Sequence, residues 1–212
     1  MINTSDLQLL PDNKKLQSAC KAMAVLDAIL CQDWTYRYYS YNSQWSEDEE
    51  FFEMRNGEGD QLLVLFRNEG AVINGYFSET AQGEKDKLTD QLPEVFHEFI
   101  FGEPVNSAGT TFSVWQLNGQ PWKTGIPAEN DDHSAELLSP LDAKPATYVK
   151  WAADYFKGSY VESGIPLDTV TRIFNQEPLT KEMVCSLVND LEDWDQLIED
   201  LIEISYPYHI NL

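Results

Sequence analysis

Basic residues are scarce in this chain of 212 residues. Fourteen lysines and arginines face thirty-six aspartates and glutamates, which gives a formal net charge of -22 at pH 7. Small domains usually stay soluble with a net charge of about 2 to 8 in magnitude. A field of this sign repels phosphate backbones and anionic lipid headgroups, so the composition predicts no nucleic-acid binding and no membrane binding. It attracts basic proteins and divalent cations.

The sequence also has no long apolar run and only three cysteines. No stretch approaches about eighteen apolar residues, and residues 1–15 lack a basic stretch followed by an apolar run, so neither a membrane-spanning helix nor a signal peptide is predicted. The three cysteines cannot all pair, and none forms a CxxC motif. Cys20 and Cys185 stand among apolar residues at helical spacing, and we expect both to be buried. Free thiols are typical of a reducing compartment, which predicts a cytoplasmic protein.

Motifs for catalysis or metal binding are absent from the sequence. It has no GxxxxGK[ST] and no GxSxG, and its three histidines are far apart. Residues 131–133 are Asp-Asp-His, but adjacent ligands rarely converge on one metal. The run 56–60 places oxygen ligands at alternate positions, yet strands rather than helices flank it, so a hairpin turn is the favoured interpretation. We therefore predict no metal, no cofactor and no identifiable catalytic residue.

Hydrophobic patterning predicts an α+β fold. A helix should open at residues 11–13 and run to about Leu30, with an apolar face formed by Leu16, Cys20, Met23, Leu26 and Leu30. β-like runs follow at 51–55, 61–66 and 71–77, separated by short turns that favour an antiparallel meander, and the chain returns to a strand at 110–117. Residues 62–66 are apolar at every position, which predicts a central strand covered on both faces.

The remaining chain is predicted to be loop and helix. Residues 80–90 are polar and suggest a surface loop, and a short helix should begin at Pro93. The segment 126–144 is loop-rich, with at most one helical turn at 135–138. Helices are expected near 145–157, 166–175 and 180–204. The prediction is one domain over 1–212, made of an N-terminal helix, an antiparallel sheet and a C-terminal helical layer, with an internal boundary near 126–144 as the alternative.

An aromatic cluster precedes the first β-like run, formed by Trp34, Tyr36, Tyr38, Tyr39, Tyr41 and Trp45. On a strand from 35 to 41, alternate side chains would point to opposite faces, one in the core and one half-exposed. This density of rings predicts a contact surface, for which Tyr39, Tyr41 and Trp45 are the candidate residues. Packing in the core is the alternative.

The last predicted helix is the most acidic segment. Residues 189–203 contain seven acids and no base, and the acids Glu192, Asp195, Glu199 and Glu203 recur at helical spacing. Like charges at this spacing cost a few tenths of a kcal/mol per pair, and acids near a helix C-terminus oppose the helix dipole. The pattern predicts a ridge that contacts a basic partner. A solvated face without a partner is the alternative.

Several spaced phrases carry a resemblance to known proteins. They are Arg37-Tyr38-Tyr39, Met54-Arg55-Asn56-Gly57, Phe96-His97-Glu98-Phe99, Tyr148-x-x-Trp151-Ala152 and Glu203-Ile204-Ser205-Tyr206-Pro207. In these the chain resembles a group of bacterial proteins of similar length that have no assigned activity, so no catalytic residues are implied. In size, acidity and element order it also resembles the SUKH group of acidic immunity proteins of bacterial toxin systems. That resemblance implies an inhibitor of a basic protein.

Three hypotheses for function therefore stand. The first is an acidic protein-binding module, an immunity-like inhibitor of a basic partner being one form of it. The second is an enzyme with an unrecognised carboxylate-based site. The third is a structural or oligomerising protein that uses its tyrosine-rich edge.

Overall fold

The structure is a computed structural model that describes residues 1–80, 82–127 and 131–210. These ranges contain an α+β fold with short 3₁₀ helices at Trp34–Tyr36, Glu94–Phe96 and Ser139–Leu141. The other elements, in chain order, are α1 (Asn13–Leu30), β1 (Tyr39–Ser46), β2 (Glu49–Arg55), β3 (Gln61–Arg67), β4 (Gly70–Tyr76), α2 (Lys85–Leu88), α3 (His97–Phe101), α4 (Val105–Ala108), β5 (Phe112–Leu117), β6 (Lys123–Thr124), α5 (Ser134–Leu138), α6 (Pro145–Tyr155), α7 (Leu167–Phe174), β7 (Leu179–Thr180), α8 (Lys181–Leu187), α9 (Trp194–Ile204) and β8 (Tyr208–His209).

Helix α1 follows the prediction closely. The Asp12 carboxylate accepts hydrogen bonds from the backbone N–H groups of Lys14 and Lys15, two donors that have no partner within the helix. The predicted apolar face, formed by Leu16, Cys20, Met23, Leu26 and Leu30, is buried. The apolar face and the cap together position α1 across the sheet.

The main sheet is an antiparallel meander in the order β1-β2-β3-β4-β5-β6. The predicted turn between β2 and β3 is present, where Asn56 Oδ1 accepts from the N–H groups of Glu58 and Asp60. Gly57 and Gly59 have φ values of 78° and 108°, a backbone region that glycine enters without steric cost. Residues 77–111 between β4 and β5 carry α2, α3 and α4, yet every strand pairing in this sheet is antiparallel, which confirms the predicted topology.

Strand β3 is covered on both faces, as predicted. Leu62, Val64 and Phe66 belong to the larger apolar cluster, with α1 and the C-terminal helices, whereas Leu63 and Leu65 belong to a smaller cluster beneath α3 and α4. Burial of a side chain of this size stabilises the fold by about 1.5–3 kcal/mol relative to exposure. The meander is thus held from both sides.

The predicted helix 180–204 is wrong in one respect, because it is two helices. Helix α8 is capped by Thr180, as predicted, and ends at Leu187; α9 begins only at Trp194. Between them Val188 is extended, and the Asp193 side chain accepts a hydrogen bond from the Gln196 N–H at 2.9 Å. Short polar side chains compete with the helical backbone for hydrogen bonds and favour the first turn of a new helix, which accounts for the break.

The surface loop expected at 80–90 is partly helical, whereas the single helical turn expected at 135–138 is present. The loop contains α2, whose Leu88 is buried, while Ala81 lies outside the described residues. The segment 126–144 contains α5 and a 3₁₀ turn, with residues 128–130 outside the described ranges. Buried residues from both sides of this segment pack in one apolar cluster.

The cysteines are all free, but only one of the two expected to be buried is buried. Cys20 is inaccessible, and burial raises the pKa of its thiol well above the ordinary value. Cys185 is exposed, contrary to the prediction, because Met183, Val184 and Leu187 take the inward face of α8.

Candidate functional site

A small pocket lies beside β1, the outer strand of the sheet, where α9 packs against β1 and α1. Its volume is 130 Å³. We name it the edge pocket. It is lined by Ala24, Trp34, Arg37, Tyr39, Ser40, Tyr41, Asn42, Trp45, Phe51, Glu53, Asp200, Glu203 and Ile204. It therefore brings together residues that are far apart in the sequence, including predicted site residues from both the aromatic cluster and the acidic ridge.

Two of the predicted contact tyrosines are core residues. The strand expected over 35–41 begins only at Tyr39, because residues 34–36 form a 3₁₀ turn. Tyr39 and Tyr41 are 2% and 3% exposed, and their rings stack on Phe52 and Phe66. Their burial corrects the expectation that they form a contact surface.

Trp45 is exposed because β1 is irregular. Asn42 pairs with Phe51 and Ser46 with Glu49, so β1 carries two more residues than β2 over this stretch. Bulges of this kind redirect side chains. By simple alternation Trp45 would follow Tyr41 into the core, but it stacks on Phe51 at 4.4 Å between ring centroids and stays 42% exposed.

Trp34 forms a second exposed indole of the pocket. The Asp33 carboxylate accepts from the Thr35 N–H and caps the 3₁₀ turn that carries Trp34. The ring is 54% exposed, and the Arg55 guanidinium carbon lies 4.0 Å from its centroid. This distance is within the range of a cation–π contact. The Trp34 indole therefore already binds a cation within the chain.

A buried ion pair forms the inner wall of the edge pocket. Arg37 donates from Nη1 to Asp200 Oδ1 at 2.8 Å and from Nη2 to Asp200 Oδ2 at 2.6 Å. The Arg37 Nε also donates to the Cys31 carbonyl at 2.8 Å. Both side chains are less than a tenth exposed. A bidentate, desolvated pair of this kind is fixed in geometry, and it ties the segment before β1 to α9.

Two further carboxylates line the edge pocket. The Glu53 side chain is 21% exposed, and burial raises its pKa while Arg55, with Nε 3.6 Å from Glu53 Oε2, lowers it. Burial also raises the pKa of Glu203; Asp200 raises it further, and Arg37 lowers it. At both positions burial raises the pKa and a neighbouring arginine lowers it. A charged group that enters the pocket would therefore shift the pKa of both carboxylates.

The predicted acidic ridge is only partly helical. Glu192, Asp195, Glu199 and Glu203 are all exposed, and within the described ranges none of them forms an ion pair. Glu192 lies before α9 and Asp195 in its first turn, where the helix dipole favours a negative charge. The dipole penalty inferred from the sequence therefore does not apply to these two acids. Asp200, another of the seven acids in residues 189–203, is buried against Arg37.

Another buried acid lies at the centre of the molecule. Asp27 accepts hydrogen bonds from the N–H groups of Tyr38 and Tyr39 and from the Tyr148 hydroxyl, the last at 2.7 Å. Burial raises its pKa to about 7, against the lowering effect of these three donors and of Arg37. Asp27 joins α1, β1 and α6, and its contacts indicate a structural role.

The three adjacent ligands at 131–133 do not converge. Asp132 is buried and accepts from Thr4 Oγ1 at 2.6 Å, whereas the His133 ring stacks on Phe77 and lies 2.8 Å from Glu136 Oε1. Among the residues that the structure describes, no group of three or more histidine, cysteine, aspartate or glutamate side chains could hold a metal ion.

Sequence reasoning missed Arg37, Glu53, Asp200 and Asp27 as residues of interest. A signal existed for Asp27, because it falls on the apolar stripe of α1, four residues after Met23 and three before Leu30. An acid on a core-facing stripe is buried, and burial costs free energy unless the carboxylate accepts hydrogen bonds. Its position therefore predicts several buried donors around it. Arg37 and Asp200 are 163 positions apart, and no local pattern joins them.

Comparison with protein-family models, curated proteins and solved structures finds no match to this chain. The resemblances drawn from spaced phrases therefore stay predictions. In the described parts of the chain, no helix combines the length and the apolar character needed to cross a membrane.

Proposed function

We propose that this protein is an acidic protein-binding module whose partner is a basic protein, and that an immunity-like inhibitor is its most specific form. The observation that supports this most is the position of the edge pocket, where the exposed indoles of Trp34 and Trp45 adjoin the acids of α9. Protein interfaces are enriched in tryptophan and other aromatic residues at their centre and have a polar rim.

Charge favours the same interpretation. The net charge of -22 attracts basic surfaces and speeds their encounter, because complementary fields steer association. Glu192 just before α9, Asp195 in its first turn and Glu199 at its middle are exposed and are available to such a surface. The acids thus supply the long-range attraction, and the indoles supply apolar contact area.

Affinity capture from host lysate tests the proposal, provided that three forms of the bait are compared. The first is the wild type, and the second carries Glu192→Lys and Glu199→Lys. The third carries Asp86→Lys and Asp90→Lys, two exposed acids in and after α2, beside β6 at the opposite edge of the sheet. Both variants change the net charge equally.

We expect one basic protein to be retained by the wild type and by the Asp86/Asp90 variant, but lost from the Glu192/Glu199 variant. Retention of the same proteins by all three baits, or loss from both variants alike, would show that the acids of α9 recognise nothing in particular. A circular dichroism spectrum and a thermal melt of each bait establish that the fold is intact.

An enzyme is the second candidate, because Glu53 and Glu203 line one pocket and burial raises the pKa of both. Perturbed carboxylates in a cleft are typical of acid–base sites. Hydrolysis of chromogenic glycosides by the wild type, lost in Glu53→Gln and in Glu203→Gln, would favour this candidate. No turnover by the wild type would leave the pocket as a binding site.

We also propose a cytoplasmic location, on the basis of three free cysteines. Thiol counting on denatured protein from its host should give three thiols with and without reductant. An intramolecular disulfide in that protein would contradict this location.

A further inference from the structure

We infer that the edge pocket receives one arginine side chain of the basic partner, held between the indoles of Trp34 and Trp45 and paired with Glu53. This inference rests on the proposed function and adds to it the chemistry of the anchoring residue.

The size of the pocket suits a side chain rather than a free small molecule. Its volume is 130 Å³. Pockets for drug-sized ligands and cofactors usually enclose about 300–1,000 Å³. A single long side chain that enters from a partner surface needs less room, and the remaining contact area lies outside the pocket.

The walls are of the kind that binds a guanidinium. Trp45 has one face on Phe51 and is 42% exposed, and it lines the pocket. Trp34, 54% exposed, already carries the guanidinium of Arg55 at 4.0 Å. A planar guanidinium stacks on indole rings and is more weakly hydrated than an ammonium, which favours arginine over lysine at this position.

The charge of the pocket also favours a cation. The pocket is lined by one basic side chain, Arg37, and by three acidic side chains, Glu53, Asp200 and Glu203. Because Asp200 holds Arg37 in a bidentate pair and Arg55 lies beside Glu53, the uncompensated negative charge of the lining lies on Glu203, which forms no ion pair within the described residues. The contact from Arg55 to Glu53 is 3.6 Å, longer than a charge-assisted hydrogen bond of about 2.7–2.9 Å, so Glu53 keeps acceptor capacity for a guest.

Protonation of Glu53 and Glu203 should control the affinity of the edge pocket for the arginine side chain. A cation in the pocket stabilises the charged form of Glu53 and Glu203, so binding lowers their pKa values relative to the empty pocket. Affinity is therefore complete above the pKa values of the empty pocket and falls as the pH drops through them. Since burial raises both values, the loss begins at a higher pH than it would for ordinary glutamates.

The probe for the test is the capped tripeptide Ac-Gly-Arg-Gly-NH2, titrated into ¹⁵N-labelled protein and followed by the indole N–H signals. The same tripeptide with citrulline is the matched control, because it keeps the shape and removes the charge. Substitutions Trp34→Phe and Trp45→Phe assign the two indole signals, and the lysine tripeptide tests the preference for a guanidinium.

We expect the arginine tripeptide to shift the Trp34 and Trp45 indole signals and the citrulline tripeptide to leave them unchanged. Glu53→Gln should weaken binding roughly tenfold, as expected for loss of a charge-assisted hydrogen bond. Trp45→Phe should weaken it about threefold through the smaller cation–π term. Asp86→Asn, an exposed acid beside the opposite sheet edge, should change the affinity less than twofold.

Equal shifts with arginine and citrulline, or shifts spread over exposed acids with no change at the two indoles, would overturn the inference. So would unchanged binding in Glu53→Gln, provided that its amide spectrum shows an intact fold. The proposed function fails separately, when the Glu192/Glu199 variant retains the same proteins as the wild type. A partner that is lost from that variant but binds Glu53→Gln normally would leave the function intact and remove only the anchor.

Discussion

The buried acids of this molecule and the exposed acids in and just before its last helix behave in opposite ways. Asp27, Asp60, Asp132 and Asp200 are less than a tenth exposed, and each accepts at least two hydrogen bonds from the chain. The exposed acids Glu192, Asp195, Glu199 and Glu203 form no ion pair within the described residues. A buried carboxylate requires such donors, whereas an exposed one does not. The inner acids hold the fold, and the outer acids are available to a partner.

The largest effect should come from breaking the buried ion pair. Asp200→Ala leaves the Arg37 guanidinium buried without its partner, and removal of one member of such a pair costs about 3–5 kcal/mol of unfolding free energy. Urea unfolding followed by tryptophan fluorescence measures it. Glu192→Ala, an exposed acid a few residues earlier, is the control and should stay within about 0.5 kcal/mol of the wild type. Similar losses in both variants would erase the distinction between inner and outer acids.

The second-largest effect should be a change of the unfolding free energy with pH that comes from Asp27. Its pKa is about 7 in the folded chain and near 3.8 when unfolded, so folding takes up a proton between these values. Its contribution to stability is complete below pH about 4 and is lost as the pH rises toward 7, by an amount on the order of 4 kcal/mol at most.

Urea unfolding of the wild type and of Asp27→Asn, across pH 4 to 8, measures this contribution. The amide keeps the size of the side chain and does not titrate. We expect the stability difference between the two proteins to change across this range in the direction that favours the wild type at low pH. A difference that does not vary with pH would show that Asp27 is charged in the folded chain throughout.

The smallest effect should come from an outer acid. Glu199 lies four residues from both Asp195 and Glu203 on α9, so Glu199→Gln removes two like-charge pairs. Each such pair costs about 0.2–0.5 kcal/mol, and the variant should therefore be more stable by less than about 1 kcal/mol at low salt. The gain should shrink as salt is added. A marked destabilisation in the same urea assay would place Glu199 among the structural acids.

The order of the elements could be predicted from the sequence, because local signals carry it. The Asp12 cap and the apolar face of α1, the turn at 56–60 and the continuous apolar run of β3 each predict one element. Short turns then favour an antiparallel meander for β2, β3 and β4. The break before α9 was missed because the helix was extended through Asp193, although an aspartate is a common helix cap.

The edge pocket could not be predicted in the same way. Trp45 reaches it through an irregularity in β1 pairing, and a period-two pattern carries no information on where extra residues fall. Its inner wall needs Arg37 and Asp200, which meet only when the last helix docks beside the first strand. The acidity that pointed to a partner was visible from composition alone, but the site where acids and indoles adjoin is a tertiary feature.

The central claim, that the exposed acids in and just before α9 bind a basic partner, is tested most directly by association rates at different salt concentrations. The measurement compares the wild type with Glu192→Lys/Glu199→Lys and with the equally charged Asp86→Lys/Asp90→Lys, against the basic protein obtained by capture. We predict that the wild-type rate falls steeply as salt rises and that the Glu192/Glu199 variant is slower by roughly tenfold or more at low salt. The Asp86/Asp90 variant should stay much closer to the wild type. Equal rates for the two variants, or a wild-type rate that does not change with salt, would contradict the claim.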